Sequence, residues 1–492
     1  MNLWRRYWRH SIVVAYLIIF TLLLATKLIN EPTPFYDWDE SIYAQVGREM
    51  VKNRSIVPLW QGQIWLDKPP LVPLFYGVVL WLTPFVALEI AMRLATLALA
   101  LIVLAMIYAL YYKVTKDIFI ATLTVIVTST APIFLQRSQV GNIDVFLLLG
   151  WLGYVLFYKR RVLAFIFLTI AVMSKSLVGF YPIALMTGYY GFLFFKKKIK
   201  KKELLQELKI MAIQSGILFL WYLIMLAIYG RAFFIQHIIE SHTKRVTASI
   251  ESHFGKRTFY IDLLLEQFGQ YVWLAILGFG LMFWQWYKNS VKNREFLFAA
   301  FLLPWFFFLN LTKTKIFWYG YPYIPQIVFL MFYPLLVIKK YLARPLYIAI
   351  CVVLGLLILK NAFIDKRVHL ANYSRLEDYH QIAKYAHGRC DKLYVLVDLQ
   401  TREASKTLER MNLLITTSRW WGNHPSMVYY FSGPIEFVYS LERWNVVMNY
   451  AERTSCLVVN EDDKLLIPIE DTQTTIIKYG SFYLFRFIKD YV

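Results

Sequence analysis

The chain has 492 residues, 58% of them hydrophobic and 18% aromatic, with only 17% charged. That balance excludes a string of ordinary soluble domains, a disordered chain and a disulfide scaffold, and points to a polytopic membrane protein. The formal charge of +21, from 53 Lys and Arg against 32 Asp and Glu, would suggest a nucleic-acid partner in a soluble chain, but in a membrane chain it is first a topology signal and requires no nucleic acid.

A helix needs roughly 20 apolar residues to cross a bilayer core of about 30 Å. The first such run, 11–30, follows Arg5, Arg6 and Arg9 and is long enough to span, so no cleavable signal peptide is needed. Further runs occupy about 90–112, 118–136, 143–158, 162–177, 179–195, 209–229, 264–287, 295–312, 316–338 and 345–362. The run 71–87 stands apart. It follows Pro69 and Pro70 and contains Pro73 and Pro84, which makes a poor regular span, so it reads as a membrane-hugging or re-entrant segment.

Lys and Arg placement tests that choice, because short cytoplasmic loops carry the excess. With 71–87 left on the outer side, Lys159-Arg160-Arg161, Lys196-Lys197-Lys198, Lys200-Lys201-Lys202 and Lys339-Lys340 all fall on the cytoplasmic side. The expectation is about eleven spans, with the N-terminus inside and the C-terminus outside. The run of lysines from 196 to 202 is then a topogenic and lipid-headgroup contact. Beyond about residue 363 the long apolar runs stop, and Leu393 to Leu399, Leu413 to Thr417, Cys456 to Asn460 and Ser481 to Ile488 alternate with polar stretches. The pattern predicts a transmembrane domain, 1–362, and a small α/β domain outside the membrane, 363–492. Cys351 lies in an apolar run, which leaves Cys390 and Cys456 as one candidate bridge.

On this topology the polar residues that interrupt apolar sequence share the outer side. The first outer loop holds Asp37, Asp39, Glu40 and Lys68; later turns hold Asp144, Lys175, Arg245, Lys313, Lys315 and Tyr319. Ionisable groups at a membrane boundary are costly unless paired or functional, so their convergence marks a candidate site. Carboxylates can accept a proton or stabilise a developing cation, while lysines and arginines suit a phosphate. Transfer from a lipid-phosphate donor needs both. The bland readings stand beside this one: Lys175 taken alone can equally be a snorkelling residue or half of a structural ion pair. His237, His242 and His253 are spaced five and eleven apart, which fits no compact metal motif and reads as solvated loop histidines.

The stretch Asp39-Glu40-Ser41-Ile42-Tyr43-Ala44-Gln45-Val46-Gly47-Arg48-Glu49-Met50 resembles the D-E-x-x-Y-A-x-x-x-R-E-M signature of bacterial GT-C glycosyltransferases. These are the lipid A 4-amino-4-deoxy-L-arabinose transferases and their relatives in the dolichyl-phosphate-mannose protein O-mannosyltransferase superfamily. Further matches follow in the family's order. Asp67-Lys68-Pro69 stands where the family has Glu-Lys-Pro, Asp144 matches an aspartate after the third span, and Met173-Ser174-Lys175 is similar to Met-Thr-Lys. His242-Thr243-Lys244-Arg245, followed by His253 and Tyr260, resembles His-x-x-Arg, and Lys313-Thr314-Lys315 with Tyr319 resembles Lys-x-Lys-x-x-x-Tyr.

The resemblance implies an all-α GT-C membrane fold with juxtamembrane helices in the first outer loop, a bacterial inner-membrane location and a periplasmic C-terminal domain. It implies an inverting transferase that takes a sugar from an undecaprenyl-phosphate carrier. In it Asp39 is the base, Glu40 and Asp144 orient the site, and Lys68, Lys175, Arg245, Lys313, Lys315 and Tyr319 bind the carrier phosphate. Asp37, Tyr43, Arg48, His242 and His253 support them. No cofactor is required; Asp67 replaces a glutamate implicated in metal contact in some relatives, and a divalent metal at Asp67 and His242 is kept as an alternative. Lipid A is the first choice of acceptor, another glycan or a protein hydroxyl the second. A transporter or lipid flippase is the reading from another class, although the internal repeats and matched broken spans of transporters are not visible in the sequence.

Overall fold

The computed structural model describes residues 10–30, 32–360, 377–450, 454–466 and 475–486. Arg5, Arg6, Arg9 and the expected domain boundary at 362/363 lie outside the described residues. Internal contacts divide the chain into two compact units: one of 1–31, 93–233 and 255–371, the other of 32–92, 234–254 and 372–492. The C-terminal segment therefore shares a unit with residues 32–92.

The first unit is a helical bundle. Ser11–Asn30 turns Ile12, Val14, Ile18, Ile19, Leu22 and Leu23 outward and buries only Val13, Phe20, Leu24 and Leu28. Such a helix is stable where the surrounding solvent is hydrocarbon. Among the described residues five helices are long and apolar enough to cross a membrane: Ser11–Asn30, Leu88–Thr115, Arg161–Phe195, Lys201–Thr247 and Phe317–Tyr341. They become six if Asn293–Ala300 and Leu303–Leu311, bent by 44°, form one span. Ile118–Thr130, Asp144–Leu156 and Arg344–Leu359 are shorter apolar helices.

Local backbone sets where the apolar runs divide. At Ser176 (φ 56°) the chain turns sharply, bringing Gly179 against the backbone of Val172, which a straight helix would hold two turns away. The stretch Arg161–Phe195, counted above as one candidate, is thus bent into two helices, Arg161–Lys175 and Tyr181–Phe195, as the separate runs 162–177 and 179–195 led us to expect. Gly269 (φ 58°) likewise divides the expected span 264–287 into Phe259–Phe268 and Val272–Tyr287. Small residues let the helices approach. A Cβ at Gly150 would strike the Phe167 carbonyl and the Ala171 side chain, so Asp144–Leu156 packs close on Arg161–Lys175.

In the second unit the helix Asp39–Lys52 packs on Leu71–Leu82 at a crossing where Gly47 and Gly77 meet backbone to backbone. Leu71–Leu82 has 12 residues and spans only roughly 18 Å, short of the bilayer core, as the prolines of 71–87 led us to expect. Between these helices, β1 (Leu59–Trp60) and β2 (Gln63–Ile64) form a hairpin whose tight turn places Gln61 and Gly62 at positive φ.

The C-terminal segment forms a five-stranded mixed sheet from β3 (Leu393–Leu396), β4 (Ile435–Val438), β5 (Cys456–Asn460), β6 (Thr475–Tyr479) and β7 (Phe482–Arg486), in the order β4-β3-β5-β7-β6. β3 pairs in parallel with both β4 and β5, and β7 runs antiparallel between β5 and β6. All four residues of β3 are buried, the pattern of a parallel strand covered on both faces. Cys390, just before β3, is bonded to Cys456, which opens β5 beside it. Residues 413–417 are not a strand. Their backbone is engaged elsewhere: the Leu413 carbonyl accepts from the Glu251 N–H, and the Thr416 N–H donates to the Glu240 carboxylate at 2.9 Å.

Candidate active site

In the first unit the chemistry centres on Asp144, wholly buried at the first turn of Asp144–Leu156. Its Oδ1 accepts from Lys175 Nζ at 2.6 Å and its Oδ2 from Arg137 Nη2 at 3.4 Å. Three elements are tied by one carboxylate, because Arg137 closes the short helix Pro132–Arg137 and Lys175 closes Arg161–Lys175. Lys175 Nζ also lies 4.2 Å from the centre of the Tyr319 ring, and Arg137 stands over Trp318 at 5.2 Å. Lys175 is therefore half of a buried ion pair as well as a candidate phosphate ligand. Lys315 donates to the carbonyls of Leu309 and Asn310 at 2.8 and 3.0 Å and faces the Tyr260 ring, whose hydroxyl bonds the backbone of Ile316. Burial pushes the Lys315 ammonium below its usual range, and the charge of Arg257 acts in the same direction. Lys313 is exposed.

In the second unit Asp39 and Glu40 open the helix Asp39–Lys52. Glu40 is fully buried, and its Oε2 accepts from the Tyr36 N–H at 2.8 Å, whereas Asp39 keeps part of its surface exposed. Asp37 faces the C-terminal segment: its Oδ2 accepts from the Tyr379 hydroxyl at 2.8 Å and lies 3.2 Å from His424 Nδ1, and its Oδ1 accepts from the Ser426 N–H at 3.0 Å. Burial alone would raise the Asp37 carboxyl, but His424 and Ser426 hold it below the usual carboxylate range.

Asp67 is the second carboxylate of this unit. Lys68 Nζ lies 2.9 Å from its Oδ2, and the Ser241 hydroxyl donates to its Oδ1. Burial would raise it, yet Lys68, the charge of Arg245 and the Ser241 bond hold it down at about 2. Arg245 pairs with Glu251 at 3.3 Å. His253 is pushed below its usual range by burial, with Arg245 in the same sense, while the charges of Glu251 and Asp39 pull it upward. His242 stacks edge-on against His237 with ring centres 5.9 Å apart, and His237 Nδ1 lies 2.8 Å from the Leu66 carbonyl. Asp67 and His242 are the residues that would hold a divalent cation; among the described residues no group of three or more His, Cys, Asp or Glu stands together.

The rest of the Asp39–Met50 signature builds structure. Tyr43 is buried near Trp65. Arg48 donates to the Tyr429 carbonyl at 3.0 Å and lies over that ring, while Glu49 accepts from the N–H groups of Gln61 and Gly62 at the hairpin turn.

No protein-family model matches the chain, and no curated protein matches it. Solved structures do match. The chain is similar to ArnT from Cupriavidus metallidurans bound to undecaprenyl phosphate, with a TM-score of 0.64 at 14% identity over 96% of this chain and 97% of that one. It is also similar to the archaeal oligosaccharyltransferase AglB from Archaeoglobus fulgidus in complex with an inhibitory peptide and a dolichol-phosphate. There the TM-score is 0.60 at 11% identity over 94% of this chain and 70% of that one. The chain has the GT-C fold. This is the architecture that the Asp39–Met50 signature led us to expect.

Within the GT-C fold the structure adds residues that the sequence did not single out. Ser241 and Glu251 complete the Asp67 and Arg245 contacts, and Ser241 lies one residue before the motif that begins at His242. Tyr379, His424 and Ser426 reach Asp37 from more than 300 positions along the chain. Nothing in their local sequence marks them.

Proposed function

We propose that the protein is an integral-membrane glycosyltransferase that moves a sugar from a polyprenyl-phosphate carrier to an acceptor on the outer face of the membrane, by inversion. The observation that carries this reading is the similarity, over nearly the whole chain, to ArnT bound to undecaprenyl phosphate. The second unit supplies carboxylates beside cations at the loop that bears the signature.

In this reading Asp39, partly exposed at the start of its helix, takes the proton of the acceptor, and Glu40 fixes the preceding turn. Lys68 and Arg245 bind phosphate, stabilising it more as charge grows on the leaving group. Lys313 and Lys315 are the candidate phosphate ligands of the first unit, with Lys175 and Tyr319 as their neighbours in the motif. Asp144 orients Lys175 through its ion pair. If the acceptor is a phosphate oxygen, as on lipid A, little deprotonation is needed and Asp39 acts by orientation and electrostatics. No cofactor enters the scheme.

The topology proposed is about eleven spans with a cytoplasmic N-terminus and a periplasmic C-terminal segment, in a bacterial inner membrane. The Cys390–Cys456 bridge supports that side for the sheet, because disulfides persist in oxidising compartments. Lipid A is the proposed acceptor. Mass spectrometry of lipid A and of polyprenyl-linked sugars in cells with and without the protein tests the reading. Loss of a sugar from lipid A with accumulation of the carrier-linked form supports it. An unchanged lipid A with a sugar missing from a protein or another glycan moves the acceptor, and no change in any of them refutes transfer.

A further inference from the structure

The turn that carries Asp39 is held from both ends. On its downstream side the Glu40 carboxylate accepts from the Tyr36 N–H, and the Trp38 carbonyl accepts from the Ile42 N–H at 2.9 Å and the Ser41 hydroxyl at 3.2 Å. On its upstream side the Phe35 N–H donates to the Tyr430 hydroxyl at 2.7 Å, and that hydroxyl donates to Glu89. Between these anchors Trp38 sits at φ 70° and ψ −121°. A residue with a Cβ rarely adopts that conformation and persists in it only when its surroundings over-determine it.

The surroundings that do so meet on Asp37. Tyr379, from the helix Asp378–Ala386, donates to its Oδ2, and His424 faces the same oxygen with its ring stacked on Tyr379 at 3.7 Å. Ser426 donates its backbone N–H to Oδ1 from the first turn of Ser426–Phe431, and its hydroxyl bonds the buried His380 at 3.0 Å. Both carboxylate oxygens of Asp37 are thus taken by the C-terminal segment, one residue away from the strained Trp38 and two from Asp39.

We propose that Tyr379, His424 and Ser426 are positioning residues for Asp39. Their grip on Asp37 fixes the Trp38 turn, and with it the direction in which the Asp39 side chain leaves its helix. The proposal rests on the reading of Asp39 as the group that acts on the acceptor, and it gives the sheet-bearing segment a part in transfer. The bland account is that the same bonds only cap Ser426–Phe431 and hold the segment in place. The two accounts differ in what the bonds control.

The test uses the full-length protein with Tyr379→Phe, His424→Leu, the two combined, and His424→Asn, whose amide nitrogen stands near the place of Nδ1. Three quantities are read: transfer, as sugar-modified lipid A or envelope protein by mass spectrometry; binding of labelled undecaprenyl phosphate; and the melting temperature. We expect the double variant to lose about 10-fold of transfer with carrier binding within about twofold of wild type. His424→Asn should recover most of the loss seen in His424→Leu. Transfer within about twofold of wild type in the double variant overturns the proposal, as does a loss that only tracks falling stability and carrier binding. If the double variant does not fold, Tyr379→Phe, which removes one hydroxyl, decides on the same criteria. Asp39→Asn run in parallel separates the two levels. An inactive Asp39→Asn beside a fully active double variant removes the positioning role alone, and an active Asp39→Asn removes the reading beneath it.

Discussion

Asp144 in one unit and Asp39 in the other are held in opposite ways. Asp144 is wholly buried between Lys175 and Arg137, whose side chains are almost as enclosed, so one negative charge meets two positive ones inside the helical bundle. Asp39, at the head of the signature helix in the other unit, keeps solvent on part of its surface and lies close enough to His253 for its charge to act on that ring. A buried carboxylate with two cationic partners spends its charge on holding Pro132–Arg137, Asp144–Leu156 and Arg161–Lys175 together. Asp39 sits at the edge of solvent on a turn held in strain, and in the proposed reading it is the one that meets the acceptor. In that reading the same side-chain chemistry serves cohesion at Asp144 and transfer at Asp39, and the difference in burial separates the two.

That contrast can be broken by mutation. The largest expected effect is on rate: Asp39→Asn should lower transfer by about 10³-fold for a hydroxyl acceptor and by about 10²-fold for a phosphate acceptor, while leaving the melting temperature and the binding of undecaprenyl phosphate nearly unchanged. Asp144→Ala should do the reverse first. It leaves Lys175 and Arg137 buried without a counter-charge, at a cost of about 3–5 kcal/mol, read as a lowered unfolding midpoint in detergent, and Asp144→Ala combined with Lys175→Met should regain part of it. If Asp144→Ala proves as stable as wild type, the division between cohesion and chemistry is wrong.

Asp67 offers a pH test of the second unit. Its carboxyl is held at about 2 when folded, below the unfolded value of about 3.9. The stabilisation, roughly 2–3 kcal/mol, is therefore fully present above about pH 4 and is lost as pH falls towards 2. Asp67→Asn should flatten that acid limb in a denaturation series; an unchanged limb would show that Lys68, Arg245 and Ser241 do not control the group. The smallest effect concerns the clasp on residues 413–417. Glu240→Ala removes the acceptor of the Thr416 N–H and hydroxyl and should cost about 1 kcal/mol, seen as faster hydrogen exchange at Thr416 without loss of the Cys390–Cys456 bridge.

The helical membrane fold was legible in the sequence because long hydrophobic runs report on solvent, and a membrane is a strong one. The break of 71–87 was visible in its prolines. The division between 162–177 and 179–195 was legible too; what escaped was local, since Gly269 breaks the expected span 264–287 at a positive φ that hydropathy does not register. The strand expected at Leu413 to Thr417 failed because its backbone bonds go to Glu240 and Glu251 instead of a neighbouring strand. For the candidate site, the signature pointed to Asp39 and Glu40, charge placement to Asp144, Lys175 and Lys68, and the resemblance to Asp67. Arg48 and Tyr43 belong to the same signature, and their contacts with Tyr429 and Trp65 are ones that no spacing contains. Tyr379, His424 and Ser426 were invisible, since a contact made across hundreds of residues leaves no local pattern.

The most direct measurement compares cells producing the wild-type protein with cells producing Asp39→Asn at equal levels, by mass spectrometry of lipid A and of undecaprenyl-linked sugars. The account predicts that the variant leaves the acceptor unmodified and the carrier-linked sugar accumulated. Equal modification of the acceptor in both would contradict it.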